Sequence, residues 1–419
     1  MQKPLPKLAT LLWIAQIAFI AKTIFFIRPR DPREFAVIDI YANAEIAIVG
    51  LTLLILVLNR RIITLFSNLR HTSVIMFIIY YLLSTVSVLW SPMPRFTLFR
   101  AIEYLVMFLA IFCALSFCKD FVNAERKILL VSLIGMLIEM CLPIKLYGFT
   151  FSIKAWHTNS YSVYAAMIFC YCFGEYFFAD KKRAKLLLFY GAVALGVLIL
   201  GTCITSFVAA VVGIFVVFAL KHKIGIIPVI FCTAIAIYLF NPNVDWITSI
   251  MPIERDPESI LTLSGRTFLW EQYKEMIAES PFYGGGFAIG SRLANFYAQS
   301  THNFIYSILL GTGLTGMIIF IIYLIRFIYE VIETCSKRYI GSIGCAGALA
   351  CGLINSLGLP IVADQWMAPS LVFGCISALF LLFIVLPHRH MAGQRRLEIM
   401  NSGFFYSNNK ITESHRISN

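Results

Sequence analysis

The feature that most constrains this chain is a succession of apolar runs, each about 18–22 residues long. An α-helix rises 1.5 Å per residue, so each run is long enough to cross the hydrocarbon layer of a bilayer. Apolar residues make up 59% of the 419 residues, and charged residues only 13%. A soluble domain does not concentrate apolar residues in this way, and the strands of membrane β-barrels are short and alternating. We therefore predict an all-α, polytopic helical membrane protein.

The apolar runs predict about twelve transmembrane helices in a single domain over residues 1–387, followed by a polar tail at 388–419 that we expect to be disordered and cytoplasmic. One large polar loop, 242–301, interrupts them. The predicted spans are 8–27, 39–58, 73–91, 97–118, 128–148, 161–179, 186–203, 207–220, 224–240, 303–327, 340–358 and 368–386.

The distribution of basic residues predicts the orientation. With the N-terminus inside, 22 of the 34 Lys and Arg residues fall in cytoplasmic segments, nine fall outside, and three lie within or at the ends of spans. This bias places both termini in the cytoplasm and the 242–301 loop outside. The net charge of +12 is thereby explained as orientation charge, so it does not predict a nucleic-acid partner.

The positions of the cysteines argue against a disulfide or a metal site in the large loop, and the first apolar run argues against a removed signal peptide. Nearly all of the eleven cysteines fall in or beside apolar runs and none lies in the large loop, so we predict neither a disulfide nor a metal site there. The first apolar run lacks a small-residue cleavage site, so we expect a retained anchor and not a removed signal peptide.

The large loop contains a predicted amphipathic helix of about four turns, which ends at Pro281. Its Trp and Tyr suit a membrane interface, so we expect the helix to lie on the membrane surface; the alternative is a simple lid or packing element. Guanidinium binds phosphate oxygens in a bidentate manner, so an arginine on this face is a candidate ligand for a lipid phosphate; the alternatives are snorkelling to headgroups or an ion pair with Glu258. One face carries Arg266, Trp270, Tyr273 and Ile277, and the other carries Glu271, Lys274 and Glu275.

His302 stands where the loop re-enters the membrane. Ser300 or Thr301 caps the span that begins near Asn303, and the positive end of the helix dipole disfavours imidazolium, so a neutral imidazole able to accept a proton is expected. The alternative is a polar interface residue without a catalytic role. Only His157 and His302 are predicted to face outward.

Other features carry weaker signals. The turn at His157 either lines an acceptor site or anchors the interface. Arg100 and Glu103, three residues apart in a predicted span, form either a structural ion pair or part of a substrate site. The three glycines at 284–286 permit a sharp turn or a close approach of the backbone, but they do not form a phosphate-binding P-loop.

Taken together, these motifs resemble those of the O-antigen ligase and Wzy-type polysaccharide polymerase superfamily. The resemblance is strongest over about residues 186–330, and its specificity lies in the order and spacing of the motifs. They are Ser264-Gly265-Arg266, Trp270, Glu279-Ser280-Pro281, Gly284-Gly285-Gly286-Phe287, Thr301-His302-Asn303 and Gly311-Thr312-Gly313-Leu314-Thr315-Gly316, with a looser match from Trp90-Ser91-Pro92 to Arg100.

The resemblance implies an enzyme of the bacterial inner membrane with a periplasmic active site. Such enzymes move a glycan from undecaprenyl diphosphate to an acceptor hydroxyl on a glycan or on lipid A-core, with inversion and without metal or other cofactor. Membrane lipids and chain-length regulator proteins are the further partners it implies. His302 would be the catalytic base and Arg266 would hold the diphosphate; substrate-binding candidates are Arg100, Arg292, Trp270, His157, Asn303 and Gly285.

One departure from the family pattern concerns the turn before the large loop. Ligases of the family usually carry an arginine there, but residues 202–207 contain none, and Arg100, Arg292 or the Arg28–Arg33 turn are candidates to replace it. The missing arginine favours a polymerase over a lipid A-core ligase. A transporter or lipid-glycan flippase is the alternative of another class, although we detect neither an internal repeat nor a matched pair of interrupted spans.

Overall fold

A computed structural model describes residues 6–25, 38–59, 61–148, 159–222, 266–290, 292, 301–337 and 339–387. Within these ranges the regular secondary structure is entirely helical. The α-helices are α1 (Pro6–Phe25), α2 (Ile40–Leu58), α3 (Arg61–Leu69), α4 (Val74–Val86), α5 (Pro94–Leu115), α6 (Phe121–Tyr147), α7 (Asn159–Tyr176), α8 (Lys181–Gly201), α9 (Ile204–His222), α10 (Arg266–Glu279), α11 (Phe304–Ser336), α12 (Ser342–Asn355) and α13 (Ala368–Phe380), which continues as a π-helix over Leu381–Val385.

The chain is a multi-pass helical membrane protein. Among the described residues, seven helices are long and apolar enough to cross a membrane, or eight if the bent pair of α3 and α4 forms one span; α1 and α12 are shorter apolar helices. Eleven of the predicted spans coincide with helices. The predicted span 224–240 lies outside the described residues, as do most of the large loop and the tail, so the total of twelve stays a prediction.

The helices differ in how much of their surface is buried. In α2 only 17% of the most apolar window is buried, whereas the corresponding shares are 78% in α5 and 89% in α13. Leu51, Leu54 and Val57 of α2 are exposed, as expected for a helix that faces lipid. The helices α5 and α13 therefore form the centre of the bundle.

Small residues bring α7, α9 and α12 into close contact. A Cβ atom added to Gly174 of α7 would lie 2.7 Å from the Cα of Gly344 in α12, and one added to Gly213 of α9 would lie 2.8 Å from the Gly347 carbonyl oxygen. Such contacts between glycines are typical of membrane helices, which associate through packing. They surround α7, whose polar Tyr161, Tyr164 and Tyr171 are buried as a result.

The bundle has two ends, which we name by their contents. The loop end is where α5 and α11 begin and α12 ends: the Phe304 amide donates to the Ser356 carbonyl at 2.9 Å, and the Trp90 indole donates to the Tyr283 carbonyl at 3.1 Å. The opposite end is where α8 and α12 begin. The basic-residue bias predicts that the loop end faces outward.

A compact ionic cluster ties four helices together at the opposite end. The Arg183 guanidinium donates to both carboxylate oxygens of Glu125 at 2.6 and 2.8 Å and to Glu175 at 2.7 Å. Tyr171 donates to Glu125 at 2.6 Å, and the amides of Gly341 and Gly344 each donate to Glu175 at 2.9 Å. We call Arg183, Glu125, Glu175 and Tyr171 the opposite-end cluster.

Candidate functional site

His302 lies at the loop end, two residues before the first residue of α11. Its φ of 54° places it in the left-handed region. Among residues with a Cβ atom, His, Asn and Asp tolerate this conformation best, and such positions cost about 1–3 kcal/mol where the surroundings enforce them. Asn303 is the N-cap of α11: its side chain accepts from the Ile305 amide at 2.9 Å. The cap thus fixes the backbone next to the imidazole.

The loop helix α10 is docked beside this histidine. The Trp270 indole donates to the Thr301 carbonyl at 3.2 Å and stacks on Tyr306, with ring centroids 5.6 Å apart. Tyr273 is fully buried, with its ring centroid 5.9 Å from that of Tyr306. The predicted helix is confirmed, Trp270 and Tyr273 of its predicted aromatic face pack on Tyr306, and the exposed Glu271, Lys274 and Glu275 form the other face. The helix packs on the start of α11, as the alternative of a packing element implies, and its position at the membrane surface stays a prediction.

Arg266 begins α10, four residues before Trp270, so both positions lie on the same helix face. Its side chain lies outside the part of the chain that the structure describes. His157, the other predicted outward histidine, also lies outside that part. The phosphate-binding role of Arg266 and the acceptor role of His157 stay predictions.

The three glycines at 284–286 complete a broken helix. At Gly313 the backbone of α11 leaves the helical region, with a φ of 64°. Near this kink the Gly285 amide donates to the Leu310 carbonyl at 2.7 Å and the Gly286 amide to the Gly311 carbonyl at 3.0 Å. A Cβ atom at Gly284 would lie 2.7 Å from the Gly311 backbone. The Gly285 amide is therefore engaged within the protein, and its predicted contact with substrate is not tested.

Phe287 anchors the same loop in the core of the bundle. Its amide donates to the Ser87 hydroxyl at 3.0 Å, and its carbonyl accepts from the Thr97 hydroxyl at 3.2 Å. Its ring is fully buried and lies near Tyr80 and Tyr81, with centroids 6.5 and 5.7 Å away. This anchor fixes the chain that leads to Arg292.

Arg292 is 7% exposed and lies against a polar segment between α12 and α13. Its guanidinium donates to the Ala288 carbonyl and, at 3.3 Å, to the Gln365 side-chain oxygen, and it lies 4.0 Å from an Asp364 carboxylate oxygen. The last separation exceeds a hydrogen bond, so the pair is an electrostatic contact and not a bidentate fork. The Phe96 ring lies 4.8 Å from the guanidinium carbon.

Burial sets the protonation behaviour of this group of side chains. Burial lowers the pKa of Arg292 to about 10, although the nearby Asp364 opposes the decrease. Burial raises the pKa of the Asp364 carboxyl, and Arg292 opposes that increase. Burial also raises the pKa of Tyr273 to about 12. Near neutral pH, Arg292 therefore remains a cation and Tyr273 remains a hydroxyl donor.

A second group of charges continues from Arg292 into the membrane. The Arg100 guanidinium carbon lies 5.2 Å from the centroid of the Phe96 ring, so this ring contacts both arginines. Arg100 donates to Glu45 and to Glu103 at 2.6 Å each, and Lys22 pairs with Glu45 at 2.5 Å. We call Lys22, Glu45, Arg100, Glu103, Arg292 and Asp364 the loop-end cluster. The predicted pair of Arg100 and Glu103 is thus part of a larger network.

Several buried polar atoms at this end have no hydrogen-bond partner within the protein. They are Arg100 Nε, Glu103 Oε1, the Tyr273 hydroxyl and Trp366 Nε1. Buried polar groups without partners are costly, and their concentration at one place is typical of functional sites.

Sequence reasoning missed Asp364 and its neighbours. Two buried tyrosines hold the segment: the Tyr104 hydroxyl donates to the Ile361 carbonyl at 2.8 Å, and the Ala363 amide donates to the Tyr81 hydroxyl at 3.1 Å. One signal in the sequence could have found Asp364, because it is the only acidic residue between Glu333 and Glu398. An isolated carboxylate between two spans is a candidate functional group.

The arrangement supports polar and acid–base chemistry at the loop end. A histidine with a left-handed backbone and a buried pair of arginine and carboxylate are fixed by elements distant in sequence, and the loop helix α10 is hydrogen-bonded to the residue before the histidine. Among the described residues there is no group of three or more His, Cys, Asp or Glu side chains that could hold a metal ion.

No protein-family model matches this chain, and no curated protein sequence is significantly similar to it.

Proposed function

We propose that the protein is a lipid-linked glycan polymerase, which moves a glycan from undecaprenyl diphosphate to an acceptor sugar hydroxyl at the outer face of the bacterial inner membrane. The observation that carries the proposal is the docking of α10 beside His302. The Trp270–Thr301 hydrogen bond of 3.2 Å joins the loop helix to the residue next to the histidine. Two motifs of the resemblance, Trp270 and Thr301-His302-Asn303, thus lie next to each other.

In this reaction His302 acts as the general base. It takes the proton of the acceptor hydroxyl, whose oxygen forms a bond to the anomeric carbon of the donor glycan. The bond between that carbon and the diphosphate oxygen breaks, and the diphosphate leaves with the electron pair. Attack opposite the leaving group inverts the anomeric centre. A general base typically contributes about 10²–10⁴-fold in rate.

Arginines stabilise the charge that develops on the leaving diphosphate. Arg266 is the first candidate for this role, because it belongs to the Ser264-Gly265-Arg266 motif of the resemblance. Arg292 is the second, because a buried arginine held by one weakly paired carboxylate retains N–H groups for phosphate oxygens. Arg292 would then replace the arginine that the turn at 202–207 lacks. Asp364 would act as a positioning residue, which offsets part of the cost of burying the guanidinium.

The ligase that joins finished polymer to lipid A-core is the alternative within the same superfamily. It shares the donor, the base and the phosphate ligands, and it differs in the acceptor. The absence of an arginine at 202–207 favours the polymerase.

A transporter or lipid-glycan flippase is the alternative of another class. Two observations favour it: α3 and α4 meet at a bend of 113°, and α11 is broken at Gly313. Broken helices and buried charges within the membrane are frequent in transporters.

A deletion strain complemented with variants tests the proposal. His302→Ala should abolish polymer while membrane insertion remains intact, and His222→Ala, at the opposite end, should behave as wild type. Normal polymer length and yield with His302→Ala would contradict the assignment of the base. The deletion itself separates the alternatives: single repeat units on core indicate a polymerase, bare core with accumulated lipid-linked polymer indicates a ligase, and repeat units retained at the inner leaflet indicate a flippase.

A further inference from the structure

A groove of about 680 Å³ lies between α1 and α6, away from the loop-end cluster. Its α1 wall is formed by the face that carries Ala9, Trp13 and Ile17, and its α6 wall by Leu130 and Ile134. The groove is open on one side, and most of the side chains that line it are apolar. Because both helices are membrane helices, this open side faces hydrocarbon.

One end of the groove is cationic. Lys127 is the only charged side chain among the residues that line it. It lies near the start of α6, at the opposite end of the bundle, with Arg126 beside it and Lys119 in the preceding turn. From Lys127 to Ile134 the helix rises about 10 Å, so the groove reaches roughly a third of the way through the hydrocarbon layer.

Nearby acidic groups do not neutralise this end. Glu125 is buried and bound by Arg183 and Tyr171. Asp120, which caps α6 by accepting the Asn123 amide at 2.8 Å, is a single carboxylate that stands against three cations, Lys119, Arg126 and Lys127. An anion that arrives from the membrane surface therefore meets Lys127 as the cation at the entrance of the groove.

The α1 wall holds a further polar group. The Trp13 indole nitrogen is buried and has no hydrogen-bond acceptor within the protein. It lies one turn of α1 deeper than Ala9, which lines the groove at its entrance. Because that nitrogen has almost no accessible surface, the groove presents Trp13 as part of its apolar wall.

We propose that the groove between α1 and α6 binds one acyl chain of an anionic glycerophospholipid, with Lys127 at its phosphate. The apolar walls, Trp13 among them, take the chain, and the lysine selects an anionic headgroup. The inference is independent of the proposed enzymatic function, because the groove shares no residue with the loop-end cluster.

Native mass spectrometry of the full-length protein in detergent tests the site. Phosphatidylglycerol and phosphatidylcholine of identical chains are added in turn, and the occupancy of bound lipid is measured. Lys127→Gln should lower phosphatidylglycerol occupancy about fivefold, the factor expected for one lysine at an anionic lipid. Ala18→Phe, which places a ring in the groove, should lower the occupancy of both lipids. Lys119→Gln is the matched control, because Lys119 is exposed in the same turn and does not line the groove.

Four results would overturn the inference. They are wild-type occupancy in Lys127→Gln, an equal loss in Lys119→Gln, and no preference of the wild type for phosphatidylglycerol. The fourth is a dimer mass that Ala18→Phe removes, which would show that a second copy of the chain occupies the groove. If Ala18→Phe fails to insert, the comparison of Lys127→Gln with Lys119→Gln decides alone.

Discussion

The two buried ionic clusters of this protein stand at opposite ends of one bundle and are built differently. In the opposite-end cluster, Arg183 makes three hydrogen bonds of 2.6–2.8 Å to Glu125 and Glu175. No buried nitrogen or oxygen atom of its four side chains lacks a partner. In the loop-end cluster, Arg292 and Asp364 are 4.0 Å apart, and Arg100 Nε and Glu103 Oε1 are buried without partners.

We propose that the difference separates a structural role from a functional one. Taking a charge out of water costs several kcal/mol, and complete hydrogen bonding is what offsets that cost. In the opposite-end cluster the hydrogen bonding is complete, through groups from four helices that include the amides of Gly341 and Gly344 at the start of α12. In the loop-end cluster it is only partial, and this cluster lies at the same end of the bundle as His302, whose backbone is left-handed. We therefore expect changes at the opposite end to reduce stability and changes at the loop end to reduce activity.

The largest expected effect is on stability, at the opposite end. Arg183→Ala leaves two buried carboxylates without their cation and should destabilise the fold by about 3–5 kcal/mol. Thermal unfolding in detergent measures the effect. Lys182→Ala, at the exposed neighbouring position, is the control and should melt as wild type. An unchanged melting temperature in Arg183→Ala would show that the cluster does not hold the helices together.

A large effect on activity is expected at Arg292. Arg292→Lys retains the charge but loses the planar fork, and should lower polymer synthesis about 10²–10³-fold, as for the loss of a group that stabilises a leaving anion. Its melting temperature should stay close to that of wild type. Synthesis by reconstituted protein and thermal unfolding are measured together, and a fall in stability without a fall in rate per folded molecule would assign Arg292 to structure.

Asp364→Asn should have a smaller effect, on both stability and activity. The amide retains the shape of the carboxylate but not its charge, so Arg292 becomes less well compensated, at about 1–3 kcal/mol. We expect a raised KM for the lipid-linked donor with a smaller change in kcat, because a positioning residue acts through Arg292. A change in kcat alone would instead place Asp364 at the reacting atoms.

The smallest expected effect is at Trp270. Trp270→Phe keeps the ring stacked on Tyr306 but removes the hydrogen bond to Thr301, which is worth about 1 kcal/mol. Polymer synthesis should fall severalfold, and Trp270→Ala, which also loses the stacking, should be worse. Equal activity in all three proteins would show that the docking of α10 does not matter for the reaction.

The sequence was sufficient where the pattern is local. The apolar runs predicted the helices, and the spacing of Trp270, Tyr273 and Ile277 predicted that they share one face of α10, because a helix repeats every 3.6 residues. The order of motifs predicted that α10 and His302 belong together. These inferences needed only residues that are close to one another in the sequence.

Contacts between distant segments could not be predicted in this way. Arg183 carries the same sequence signal as its neighbours Lys181 and Lys182, yet it alone is bound by Glu125, which precedes it by 58 residues. The glycines at 284–286 indicated a turn, but their role depends on the kink at Gly313. Asp364 meets Arg292 only because α5, the loop and the α12–α13 segment converge.

The most direct test of the central claim is the rate of glycan transfer by His302→Asn. Asparagine also tolerates the left-handed backbone, so this variant removes the base while retaining the conformation. Purified protein is given undecaprenyl-diphosphate-linked repeat units, and donor binding and polymer formation are measured separately. The account predicts donor binding within about twofold of wild type and a rate lower by about 10²–10⁴-fold, the usual contribution of a general base. A rate equal to that of wild type would contradict the assignment of His302 as the catalytic base.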